Sequence, residues 1–191
     1  NGQTIYLISD EPYRELVFGG VKVPYIMNYY ADSIVCYSFS KSLSLPGERI
    51  GYIAVNPAMG NAGEVYAAVC GAGRALGYVC APSLFQLIIP RVIGKTSDIS
   101  VYERNRDVLS AALQSYGYEV VKPDGAFYLF VKSLEPDSDA FAERAKEHEL
   151  LIVSAKSFGV EGYVRISYCV SPDMIARSLP AFKALAESYG K

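Results

Sequence analysis

Histidine is nearly absent from this 191-residue chain: His148 stands alone, in the charged helical stretch AERAKEHEL, where a solvated surface position accounts for it. A Ser-His-Asp triad elsewhere in the chain is thereby excluded, and acid-base chemistry must fall to another group such as a lysine or a tyrosine. Basic excess is missing too. With a net charge of -2 and no dense Lys/Arg run, nothing is available to neutralise a phosphate backbone, so nucleic acid is not an expected partner. No stretch approaches the roughly 20 apolar residues that a membrane helix needs, which argues against a membrane partner. The four cysteines, Cys36, Cys70, Cys80 and Cys169, are scattered in apolar surroundings without a C-x-x-C pair. Reduced, buried thiols in a cytoplasmic protein are expected, with neither a disulfide frame nor a metal site. The sequence opens on Asn1-Gly2 directly before a buried-looking strand instead of on an initiator methionine, so a piece of a longer chain is expected, without a secretory leader.

What is present suits a globular fold: 51% of the residues are hydrophobic and 20% charged. Short apolar runs bounded by turn signals, TIYLIS at 4–9, SIVCYSF at 33–39 and IGYIAV at 50–55, predict strands buried on both faces of an α/β layer. The pattern then turns helical over 61–77, over 82–93 with Pro90 as a kink, and from Asp98 to about Ser115. Beyond Tyr116-Gly117 the order becomes strand, Pro123-Asp124-Gly125 turn, strand, helix (138–149), two strands, and a last helix from Pro172 with Pro180 as a kink. This predicts a second, α+β unit with a largely antiparallel sheet. The division falls near 100, giving units 1–100 and 101–191.

Chemistry concentrates in three segments. In SFSKSLSLPGERIGYIAV, Ser38, Ser40 and Lys41 end one apolar strand, and Arg49 and Gly51 begin the next. Strand ends are where α/β proteins place ligands. A lysine held out of bulk water there is a usable nucleophile for a carbonyl, while Ser38 and Arg49 can bind a phosphate. Each residue alone also fits an ordinary solvated loop. In ISDEPYRELVF, Asp10 ends the first strand and Tyr13 follows at i+3; the pair suits a protonated ring nitrogen and a phenolate oxygen. Equally, Asp10 can cap a helix starting at Glu11-Pro12. In YVRISYCV, Arg165 sits in the middle of an apolar strand, where a guanidinium needs a carboxylate from the chain or from a ligand. The Pro123–Phe127 segment reads as a turn into a strand, with Gly125 permitting close approach of a substrate.

Taken in order, D-E-P-Y, S-F-S-K with E-R-I-G, P-D-G-A-F-Y and the late R-I-S resemble the class I/II aminotransferases among the fold-type I pyridoxal-phosphate enzymes, over nearly the whole chain. The resemblance implies a fold: part of a mainly parallel sheet with helices, from the C-terminal part of the large cofactor-binding domain (1–100), followed by a smaller α+β C-terminal domain (101–191). It implies pyridoxal 5'-phosphate as cofactor, and an amino group transferred between an amino acid and a 2-oxo acid. Lys41 would carry the cofactor and move the proton at the substrate α-carbon. Asp10 would pair with the ring nitrogen, Tyr13 with the phenolic oxygen, Ser38 and Arg49 with the phosphate, and Arg165 with the substrate α-carboxylate. The family's glycine-containing phosphate loop, its stacked aromatic ring and an asparagine at the phenolic oxygen belong to an N-terminal portion outside these residues, and the family builds its site across a homodimer. A carbon-sulfur lyase would use the same groups. An aminotransferase-like ligand-sensing domain of a transcription regulator is the reading from another class.

Overall fold

Strand β2 (Ser33–Ser38) organises the first part of the chain, because its run of Ile34, Val35 and Tyr37 is buried, Val35 completely. The computed structural model describes residues 2–191, which divide into a unit ending at Ser97 and a unit spanning Asp98–Lys191. In the first unit β2 lies between β1 (Leu7–Asp10) and β3 (Gly51–Val55). The β1 pairing is parallel, with Asp10 opposite Cys36; the β3 pairing is antiparallel, with Ser38 opposite Gly51. Between β2 and β3 the chain forms a single helical turn, α1 (Phe39–Ser42), and a short 3-10 turn at Pro46–Glu48. Helices α2 (Ala62–Ala75) and α3 (Ser83–Val92) follow, the latter carrying Pro90 in its interior.

Burial on both faces holds for β2 and fails for its neighbours. β1 is shorter than the expected 4–9 run and stays open to solvent, with Ile8 63% exposed, and Tyr52 and Ile53 of β3 are exposed as well. The reason is positional: β1 and β3 each have β2 on one side only within this sheet. Gly51 is required where it stands, because a Cβ there would lie 2.3 Å from the Tyr37 carbonyl oxygen.

The second unit is an antiparallel sheet in the order β4 (Val120–Val121), β5 (Tyr128–Lys132), β7 (Tyr163–Ser167), β6 (Val153–Ser154). Alternation buries Leu129 and Val131 of β5 and Val164 and Ile166 of β7 on one face. Leu109 and Leu113 of α4 (Ile99–Ser115), Phe141 and Ala145 of α5 (Ser138–Glu147) and Phe182 and Leu185 of α6 (Pro172–Ser188) are buried at helical spacing. Each helix begins on a side-chain cap: Asp98 accepts from Ser100, Asp137 from Asp139 and Ser171 from Met174. Such caps contribute ~1 kcal/mol each.

Two expectations are corrected. Cys80 and Cys169 are exposed and Cys36 and Cys70 only half-buried, because Cys80 lies in the loop before α3 and Cys169 just past the end of β7; all four are free. His148 is half-buried at the C-cap of α5, where its backbone N–H bonds Ala145, so it is not fully solvated. Among the described residues no helix is long and apolar enough to cross a membrane, and no cluster of three or more His, Cys, Asp or Glu side chains could hold a metal ion.

Candidate active site

Asp10 ends β1 at the same edge where β2 gives way to α1, since the parallel register sets it opposite Cys36, two residues before Ser38. The chain after it does not become a helix. Residues 12–15 form turns, pinned by the Glu11 N–H to the Cys36 carbonyl at 2.8 Å and the Leu16 N–H to the Tyr13 carbonyl at 2.9 Å. The capping account of Asp10 therefore fails, and its carboxylate is left exposed at the sheet edge. Burial, and then the Asp10 charge, push the neighbouring Cys36 thiol up from its ordinary pKa. Asp10 and Tyr13 line one cleft of about 400 Å3 together with Ser9, Arg14, Pro24 and Ile26.

Lys41 comes to the same place from α1. Its ammonium lies 5.7 Å from the centre of the Tyr13 ring, within cation–π range. That single helical turn has its own start signal: the Ser38 hydroxyl accepts from the Ser40 N–H at 3.2 Å and donates to the Ser40 hydroxyl at 2.7 Å. Ser40 thus carries the outward end of a hydroxyl pair, a role its sequence position had left unassigned. Arg49 adjoins Ser38 through the strand pairing, Phe39 N–H to Ile50 carbonyl at 3.2 Å. Its backbone is left-handed at φ 51° and its guanidinium donates to the Pro46 carbonyl at 2.7 Å. It is exposed, and among the described residues no carboxylate pairs with it. Asp10, Tyr13, Ser38, Lys41 and Arg49 thus share one edge of the first sheet. An acid, a phenol, an amine, hydroxyls and an uncompensated cation are gathered there.

Arg165 belongs to the second unit. It lies in mid-β7 on the face opposite the core, half-buried, with its guanidinium 4.3 Å from the Tyr128 ring centre and 4.1 Å from that of Phe158. No carboxylate pairs with it among the described residues. The aromatic faces shield its plane and leave its N–H edge for a ligand. Tyr128 and Phe158 were missed in the sequence; alternation along β5 could have placed Tyr128 on this face, whereas Phe158 comes from a 3-10 turn, Ala155–Phe158, that carries no periodic signal. In the Pro123–Phe127 turn the left-handed residue is Ala126, at φ 63°, and not Gly125. Its carbonyl accepts from the Tyr168 hydroxyl at 3.2 Å, while the Pro123 carbonyl accepts from Arg106 at 3.1 Å.

Comparison with known proteins gives a consistent picture. The chain is 30% identical over 206 residues to a probable aspartate/prephenate aminotransferase of Aquifex aeolicus, covering 96% of this chain and 49% of that protein. The crystal structure of an amino transferase from Eubacterium rectale is 58% identical and superposes with a TM-score of 0.95 over 100% of this chain and 48% of its own. An aspartate aminotransferase structure from Thermotoga maritima, 25% identical, gives 0.82 over 95% of this chain and 48% of its own. The chain thus spans about half the length of the relatives it matches. The family model for aminotransferase class I and II matches residues 1–182, and the chain belongs to this family of pyridoxal-phosphate-dependent transferases.

Proposed function

We propose that this chain supplies the lysine-bearing half of the active site of a pyridoxal-phosphate-dependent aminotransferase, which moves an amino group from an amino acid to a 2-oxo acid. The observation that carries the reading is the convergence of Asp10, Tyr13 and Lys41 at one sheet edge, with Tyr13 shared between the acid's cleft and the amine. The donor set fits the cofactor. Asp10 is an exposed carboxylate able to accept a ring N–H, and the Tyr13 hydroxyl suits a phenolic oxygen. The Ser38–Ser40 hydroxyl pair and the Arg49 guanidinium, which has no carboxylate partner among the described residues, suit a phosphate dianion.

Pyridoxal phosphate, when bound, supplies a ring that takes up the electrons of the substrate's α-C–H bond. Lys41 would hold the cofactor through its amine and, freed by the substrate, would move the proton from the substrate α-carbon to the cofactor's C4' carbon. Asp10 would keep the ring nitrogen protonated. Arg165 receives the substrate α-carboxylate on its open N–H edge and so orients the bond to be broken. Four free thiols support a reducing, cytoplasmic setting. The open apolar strands β1 and β3 support a larger assembly, which the reading takes to be a homodimer of the whole enzyme.

The test is to incubate the chain with pyridoxal phosphate, reduce with borohydride and map the adduct by peptide mass. Label on Lys41, well above that on exposed lysines such as Lys22, is the expected result, and Lys41→Ala should abolish it. In the whole enzyme, Lys41→Ala should end turnover and Arg165→Ala should mainly raise the substrate KM. Wild-type turnover in the absence of Lys41 would sink the mechanism.

A further inference from the structure

Beneath α1 lies a buried hydrogen-bond chain that the roles assigned above do not use. The Tyr37 hydroxyl is 2.7 Å from a carboxylate oxygen of Glu15 and 2.8 Å from the Ser42 hydroxyl. Tyr37 is 8% and Ser42 2% exposed. A carboxylate only accepts, so the Tyr37 proton goes to Glu15, and Ser42 offers its own proton to the Tyr37 oxygen. The three residues come from the three segments that build the candidate site. Glu15 is two residues past Tyr13 in the turn after β1, Tyr37 is the β2 residue before Ser38, and Ser42 follows Lys41 on α1.

An isolated four-residue helix has almost no stability of its own. What anchors α1 is therefore what decides where Lys41 stands. Its Ser38 cap fixes the start, and the Ser42 carbonyl accepts from the Ser97 N–H at 2.8 Å. The Tyr37–Glu15 bond ties the Lys41 turn to the turn that carries Tyr13, beside the contact of Lys41 with the Tyr13 ring. We propose that Glu15, Tyr37 and Ser42 act together as a positioning device, which sets the Lys41 amine against the Tyr13 ring. Its catalytic consequence rests on the reading of Lys41 as the cofactor-bearing amine; the positioning itself does not. The tyrosine is the joint, since its hydroxyl touches both other members, and the stacked Tyr52 ring, 5.1 Å away between centres, holds its plane.

Lys41 reactivity reads this out without any cofactor. The chain is treated with limiting acetic anhydride, and the acetylation of Lys41 is measured by peptide mass mapping against the exposed Lys22 and Lys183 of the same molecule. Tyr37→Phe should raise the relative rate at Lys41 about fivefold, the effect of losing one ordinary hydrogen bond's worth of restraint. Glu15→Ala should do the same, and Glu15→Gln, whose amide oxygen still accepts from Tyr37, should stay close to wild type. Asn56→Ala is the control for general loosening. It deletes bonds from the buried Asn56 to the Met27 and Tyr30 carbonyls and to the Ser33 hydroxyl at the other end of β2, and should leave Lys41 unchanged. A folded Tyr37→Phe protein with wild-type Lys41 reactivity overturns the proposal, as does an equal response to Asn56→Ala. Should Tyr37→Phe fail to fold, Ser42→Ala removes one link only, and a wild-type rate there overturns it equally. Pyridoxal phosphate trapping of the whole wild-type enzyme separates the two readings. Absent Lys41 label with a normal acetylation response removes the enzyme reading and keeps the device; selective label with no acetylation response does the reverse.

Discussion

The two units of this chain bury their apolar residues very differently. Most of the buried apolar side chains lie in the second unit, where three helices cover one face of an antiparallel sheet. Most of the exposed large ones lie in the first, including Ile5, Ile8, Ile53, Tyr78 and Leu87. Arg165 is thus held by a strand whose alternate residues, Val164 and Ile166, are locked into a core. Lys41 is held by one helical turn and a few hydrogen bonds. One unit thus holds its arginine by packing and the other holds its lysine largely by polar restraint, so the two units should fail in different ways.

The largest expected effect comes from separating the units. Residues 98–191 alone should melt cooperatively, because their core is complete within the unit, whereas residues 1–97 should bind a hydrophobic dye and melt broadly. Cooperative melting of the first unit by itself would break the comparison. Next come two substitutions that should each touch one unit. Leu129→Ala empties a fully buried position and should cost about 3 kcal/mol; urea unfolding of residues 98–191 measures it, and Lys41 acetylation in the whole chain should not change. Gly51→Ala drives a methyl group against the Tyr37 carbonyl and should cost about 2 kcal/mol. It should also disturb Lys41, because Gly51 lies opposite Ser38.

Alkaline pH should sharpen the contrast to a smaller degree. Burial pushes Tyr118 and Tyr168 up from their ordinary range, and burial followed by the Glu135 carboxylate pushes Tyr189 up to about 12. In the first unit, burial likewise takes Tyr37 up to about 12 and pushes Tyr52 up from its ordinary value. A tyrosine with a raised pKa keeps its proton when folded and loses it first when unfolded. Its stabilising share is therefore whole below the ordinary value of ~10 and disappears as pH climbs through the folded value. The second unit holds three such groups, so its urea midpoint should fall more steeply than the first unit's between those limits. Equal slopes would mean that the second unit's tyrosines are less protected than their burial implies.

How much of this was legible in the sequence follows from the kind of restraint involved. The helices and the longer strands of the second unit are periodic, and periodicity reports burial, so Leu109, Leu113, Phe141 and Phe182 could be read as a core. The first unit's strands were visible as apolar runs, but apolarity alone predicted burial on both faces, and β1 and β3 lack the second neighbour that would provide it. The chemical residues Asp10, Lys41 and Arg49 stood out because each stands at the end of an apolar run. Tyr37 and Glu15 did not, since a tyrosine within an apolar strand and a glutamate in a polar turn are ordinary until the fold brings their oxygens to 2.7 Å. Phe158 was hidden for a related reason: its turn has no repeat, and only its place over Arg165 gives it meaning.

The smallest expected effect concerns Ala126, the left-handed residue in the turn that leads into β5. A Cβ in that region costs roughly 1–2 kcal/mol, and glycine in its place gives back roughly 0.5–1 kcal/mol through the greater freedom of the unfolded chain. Ala126→Gly should therefore raise the stability of the second unit by about 0.5 kcal/mol, seen as a higher urea midpoint at unchanged slope. The same change loosens a turn that Tyr168 and Arg106 otherwise clamp at its two carbonyls. Tyr128 lies two residues further on, with its ring against Arg165. A variant that is more stable yet binds a substrate carboxylate less tightly would mean that the strain at Ala126 serves to hold the arginine's aromatic seat in place. A gain in both properties would mean that the strain is only a cost of the turn.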